Sequence, residues 1–227
     1  MAVVLVILVL SVSGCSKDKK EKIGEIYALK STPQAGNVEK MKAYLEDKDR
    51  EVRASALWYL KDVDREEAFR AAVRMLDDRD GFVRSSAAKV LGELKNPAAI
   101  DHLLRNVDDE DFHVRLKIAE AAGDIGGPGA MTILERLTFD TRKDVRIFVA
   151  EAFGKIGNKD SLPFLYNLLK DKDFEVRVKA ATALGNIGDE SAIPQLEKSL
   201  DDDNKFVRAA TQRSLYQLLK DEPSTQE

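Results

Sequence analysis

Apolar residues recur along most of the chain with a helical period. Ile100, Leu103, Leu104 and Val107 fall at i, i+3, i+4 and i+7, and Leu162, Leu165, Tyr166 and Leu169 repeat that spacing. This is the stripe of an amphipathic helix that buries one face. A second set, Val114, Ile118, Ala121, Ala122 and Ile125, has the same period. Asp49, Asp80, Asp111 and Asp173 each stand three residues before the Val that opens such a set, where a carboxylate accepts the free backbone N–H groups of a first turn. Asn204 is placed to do the same, whereas Arg142 occupies that column in one unit. Pro163 and Pro194 fall in the first turn of a helix, where a missing N–H costs nothing.

The pattern is also periodic on a longer scale. Val-Arg recurs at Val52-Arg53, Val83-Arg84, Val114-Arg115, Val145-Arg146, Val176-Arg177 and Val207-Arg208, 31 residues apart each time. A fixed interval of this length marks a repeat array, here six units of two antiparallel helices over residues 33–218. Two helices cannot bury both of their apolar stripes alone, so neighbouring units must stack and share one core. Ala88, Ala119, Ala150 and Ala181, with Gly92, Gly123, Gly154 and Gly185, supply small columns for close approach. Lys61 and Tyr216 replace the Gly at the two ends, and Thr211, Gln212 and Ser214 make the last helix more polar, as capping units require. Residues 21–32, with Ile23, Ile26, Tyr27 and Leu29, predict a half-repeat helix shielding the first unit. The expected fold is an all-α, right-handed α-solenoid with capped ends. A polar tail follows at 219–227.

The run from Asp173 to Gly188, D-x-x-V-R followed by A-A-x-A-L-G-x-I-G, resembles the short HEAT-like repeats related to phycobilisome lyases. That resemblance implies an Arg ladder along the stack, at Arg53, Arg84, Arg115, Arg146, Arg177 and Arg208, with Asp49, Asp80, Asp111 and Asp173 as its partners.

The first residues follow a different rule. Ala2 to Leu10 is the only long apolar run, and it is shorter than the ~20 residues that a spanning helix needs. A run of this size followed by small residues fits a secretory signal, here residues 1–14. Val12, Ser13, Gly14 and Cys15 resemble the lipobox of bacterial lipoproteins, in which the cysteine thiol is lipidated and becomes the first mature residue. Cys15 is the sole cysteine, so the exported chain cannot form an internal disulfide. Residues 15–32 then read as a lipidated tether and capping helix. The resemblance implies a cell-envelope location, lipid-anchored through Cys15, at the outer membrane facing the periplasm where there are two membranes.

Composition narrows the function. Formal net charge is −4, and the stretch 17–30 is net +2, so the body is acidic and the tether basic. An acidic body whose arginines are matched by aspartates gives no reason to expect a nucleic-acid partner. There are two histidines, His102 and His113, and neither is followed by Glu, whereas enzymes resembling deoxyhypusine hydroxylase carry His-Glu pairs that ligate iron. With no second cysteine, no ligand set for a first-row metal is legible, nor is a nucleophile and base pair, so neither a catalytic residue nor a cofactor is expected. Gly126, Gly127 and Gly129 fall at an inter-repeat turn and do not form a phosphate loop.

In the second helices, the positions two and six residues after the Val point away from the buried stripe. They bring Leu116, Ile147 and Val178 into one line, with Phe148 beside it and Trp58 at one end. Such an apolar strip, edged by Lys117, Glu120, Glu151 and Lys179, predicts a protein or peptide docking site on the concave face of a monomeric solenoid. Phe82, Phe112, Phe174 and Phe206 read as plugs of the inter-helix turns. The expected function is therefore a non-catalytic, membrane-anchored interaction scaffold. An accessory or enzyme of the lyase-like branch and a structural envelope spacer are the alternatives.

Overall fold

The computed structural model describes residues 19–31 and 35–220, and Cys15 with the apolar run before it lies outside them. The described residues form helices without strands. Helix α1 (Lys19–Ser31) is followed by six antiparallel pairs: α2 (Ala35–Tyr44) with α3 (Arg50–Val63), α4 (Arg65–Met75) with α5 (Gly81–Leu94), and α6 (Ile100–Arg105) with α7 (Phe112–Ile125). The last three are α8 (Pro128–Leu137) with α9 (Lys143–Ile156), α10 (Leu162–Leu168) with α11 (Phe174–Ile187), and α12 (Ile193–Lys198) with α13 (Lys205–Lys220). Single 3₁₀ turns at Pro97–Ala99, Lys159–Ser161 and Glu190–Ala192 lead into the first helices of three pairs. None of the described helices is long and apolar enough to cross a membrane.

The molecule is an α-solenoid. Helices α1, α3, α5, α7, α9, α11 and α13 stack neighbour on neighbour, and the first helices of each pair cover one side of that row. One core, from Ile26 and Met41 to Leu215 and Leu218, runs unbroken through all the units. The glycine column sets the spacing of the row. A Cβ on Gly92 would lie 2.8 Å from Ala121 Cα, and one on Gly154 would lie 2.9 Å from Ala183 Cα, so only glycine permits these helices to approach so closely.

The arginine ladder exists, but its carboxylates are different from those the repeat pattern suggested. Asp49, Asp80 and Asp111 spend their carboxylates on the backbone N–H of Glu51, Phe82 and His113, as helix caps. The rungs join Arg53 to Asp78, Arg84 to Asp109, Arg115 to Asp140, Arg146 to Asp171 and Arg177 to Asp202, always across a repeat boundary. In each, Nε and Nη2 donate in parallel to the two carboxylate oxygens, at 2.8 and 2.8 Å for Arg53 and at 2.6 and 3.0 Å for Arg115. Nη1 meanwhile donates to a carbonyl of the turn before the arginine's own helix, Asp47 O for Arg53 and Asp109 O for Arg115. The reason is geometric: the carboxylate that reaches the fork sits on the next unit's turn, five residues before its Val. That column is Asp in all six units, Asp47, Asp78, Asp109, Asp140, Asp171 and Asp202. Repeat 4 therefore keeps its rungs despite Arg142, which caps nothing with its side chain. Asp173 is the one earlier candidate that does touch the ladder, at 2.9 Å from Arg146 Nη2, and it makes no side-chain cap.

The ladder has an extra rung at its start. Lys22 stands 31 residues before Arg53, and its Nζ donates to Asp47 Oδ2 at 2.5 Å. Helix α1 thus occupies the place of a second helix, with Lys in the Arg column. In Asp78 and Asp171 burial pushes the carboxyl pKa up, but the arginine fork, a backbone N–H and nearby positive charge together outweigh it and hold the group below its ordinary range.

Candidate docking face

The exposed side of the second-helix row carries a groove of about 470 Å³ at its N-terminal end, with Ile23, Ala54, Trp58 and Tyr59 on one wall and Phe82, Ser85, Lys89 and Lys117 on the other. Trp58 is half-buried and packs on the core, which fixes its ring. Two ammonium groups sit over that ring, Lys61 Nζ at 4.2 Å and Lys89 Nζ at 4.5 Å from its centroid. Lys61 is also tied to Glu93 at 2.8 Å. The groove is therefore amphipathic, an aromatic floor under a charged rim that includes Glu51 as well as Lys89 and Lys117.

Beyond the groove the row continues as the line Leu116, Ile147 and Val178, with Phe148 beside it. These four are half-buried and rest on the core, and Ala54 in the same column is buried outright. The helical wheel alone placed this column in solvent. Half-buried against the core, the line is a shallow, ridged surface. Ion pairs border it, Lys117 with Glu120 and Lys179 with Glu151, each at 2.5 Å.

Three of the four turn phenylalanines do not plug the turns, Phe82, Phe174 and Phe206 being 46%, 36% and 56% exposed, whereas Phe112 is half-buried. Phe82 has the Arg50 guanidinium over it at 5.5 Å, and Phe174 stacks on Phe206 at 6.2 Å. His102 meets the Phe69 ring edge-on, and His113 lies 3.0 Å from Asp111 Oδ1. Among the described residues, no group of three or more His, Cys, Asp and Glu side chains is placed to hold a metal ion.

A family model for HEAT repeats matches residues 38–112, 83–142 and 131–216. The chain belongs to the HEAT-repeat family. No curated protein matches it. Among solved structures, HEAT-type and armadillo solenoids are similar to it. The Escherichia coli protein YibA is 21% identical with a TM-score of 0.61, over 88% of this chain and 89% of that one. The complex of CpcE and CpcF of phycocyanin lyase from Nostoc is 21% identical with a TM-score of 0.54, over 94% and 86%. A designed armadillo repeat protein in complex with the peptide (KR)4 is 21% identical with a TM-score of 0.61, over 79% and 98%. At these identities the likeness is one of fold.

Proposed function

We propose that this HEAT-repeat protein is a non-catalytic interaction scaffold, held at an envelope membrane by lipidated Cys15, that binds a protein or peptide on the exposed face of its second-helix row. The observation that carries the reading is the Trp58 groove leading into the Leu116, Ile147 and Val178 line. A fixed aromatic with apolar ridges and charged borders is the anatomy of a peptide-docking surface. The designed armadillo protein complexed with (KR)4 is a solenoid of similar fold that holds a peptide. The likeness to the phycocyanin lyase complex, being one of fold, lends no weight to an accessory role in lyase chemistry.

The test is crosslinking capture from envelope extract, comparing the wild type with Trp58→Ala and with a Leu116→Asp, Ile147→Asp, Val178→Asp variant. Circular dichroism checks that each variant keeps its helicity. A discrete protein captured by the wild type and lost from the folded variants is the expected result. The same proteins captured by all three would remove the docking face from this row. Fractionation of Cys15→Ala tests the anchor separately, and its release from the membrane is expected.

A further inference from the structure

Helix α13, the last of the described helices, presents an unfinished rung. Arg208 is poised like the other ladder arginines, with Nη1 donating to Asp202 O at 2.7 Å and to Asp203 O at 3.0 Å. In the preceding units this hold aims Nε and Nη2 at an aspartate of the next unit, whereas those atoms of Arg208 meet no carboxylate among the described residues. Helix α13 is also basic in composition. Its sequence, KFVRAATQRSLYQLLK, holds Lys205, Arg208, Arg213 and Lys220 and no acidic residue, in a chain of formal net charge −4. Every other second helix contains at least one Asp or Glu. Between these cations lie Tyr216 and Leu219, 67% and 51% exposed.

We propose that this end of the solenoid is a second docking site, at the opposite end of the row from the Trp58 groove, for an acidic segment of a partner protein, with one carboxylate seated in the Arg208 fork. Charge complementarity and the preset fork select the acidic partner. A second copy of the chain is disfavoured on two counts. The ladder carboxylate at the opposite end, Asp47, is already engaged by Lys22. Tyr216 also replaces the column glycine, and at Gly185 even a Cβ would come within 2.8 Å of Ser214 Cβ, so a further helix cannot pack at the spacing of the array. The occupant lies over Tyr216 and Leu219 at a larger distance and brings its own carboxylates to Arg208 and Arg213.

The experiment is NMR titration of the full chain with a short amphipathic peptide bearing Asp and Glu on one face and Leu on the other. Its Asn/Gln counterpart and the variants Arg208→Gln, Arg208→Lys and Arg213→Gln serve as controls. Saturable shifts confined to α13 are expected, absent with the Asn/Gln peptide. About tenfold weaker binding is expected in both Arg208 variants, because lysine keeps the charge but not the fork. Arg213 is exposed, so its variant keeps the fold, and it is expected to bind severalfold more weakly. Absence of saturable shifts, shifts mapping to the Trp58 groove, equal binding of the Asn/Gln peptide, or wild-type affinity in the folded Arg208 and Arg213 variants would each overturn the assignment. Trp58→Ala is expected to leave this binding unchanged, so the two docking sites stand or fall separately.

Discussion

Arg146 and Asp171 face each other across the boundary between two repeats, joined by parallel hydrogen bonds of 2.6 and 2.8 Å. The same arginine holds the carbonyls of Asp140 and Thr141 in its own unit. One guanidinium therefore closes a turn and fastens the next repeat, and the side chains involved are largely shielded from water. In a quasi-one-dimensional array, where each unit touches only its neighbours, such a cross-boundary bond acts on cooperativity as well as on total stability.

Removing a rung carboxylate should cost more than removing a cap. Asp140→Asn leaves the shielded Arg115 fork without its counter-charge, and a loss of about 2–4 kcal/mol is expected. Asp111→Ala removes a first-turn cap and an exposed contact to the His113 ring, and about 1 kcal/mol is expected. Urea unfolding of both variants checks the difference. A broadened or two-step transition for Asp140→Asn alone would mark uncoupling of the two halves of the stack.

The ladder also fixes an acid limit. The carboxyls of Asp78, Asp171 and Asp202 are held below their ordinary range: burial raises each, but the arginine and backbone donors prevail. A carboxylate with a depressed folded pKa contributes its full stabilisation above the unfolded value of ~3.9 and loses it as the pH falls through the folded value. Urea midpoints should be flat in these groups above about pH 5 and should fall steeply below about pH 4. In Asp171→Asn the acid-dependent part should shrink.

The glycines separate into two kinds. Gly154→Ala puts a Cβ 2.9 Å from Ala183 Cα, so the overpacking cost of ~1–3 kcal/mol should exceed the ~1 kcal/mol helix-propensity gain. A Cβ at Gly24 in α1 meets nothing within 4 Å, and Gly24→Ala should stabilise by about 0.5–1 kcal/mol. Thermal melts of the pair should therefore shift in opposite directions.

Lys95 ends α5 with φ at 52°, in the column where Gly126, Gly157 and Gly188 end their helices, also at positive φ. A side chain in the left-handed region costs roughly 1–2 kcal/mol. Lys95→Gly is expected to raise the denaturant midpoint by a corresponding amount, less the extra chain entropy that glycine brings to the unfolded state.

The repeat, its two helices and its stacked core were legible in the sequence because they rest on local periodicity: the apolar spacing, the fixed Val-Arg interval and the small columns at Gly92, Gly123, Gly154 and Gly185. The Asp column at 47, 78, 109, 140, 171 and 202 was equally visible. The local pattern points instead to the column two residues later, because a cap satisfies a local rule whereas a rung joins residues 25 apart across a boundary that no local pattern describes. Packing alone decided how deep the Leu116, Ile147 and Val178 line sits, since burial there depends on the approach of neighbouring helices. It likewise decided that Phe82, Phe174 and Phe206 stay outside and that Lys61 and Lys89 converge on Trp58. Periodicity specifies which face of each helix turns inward, and the distance between one helix and the next settles what remains exposed on the other.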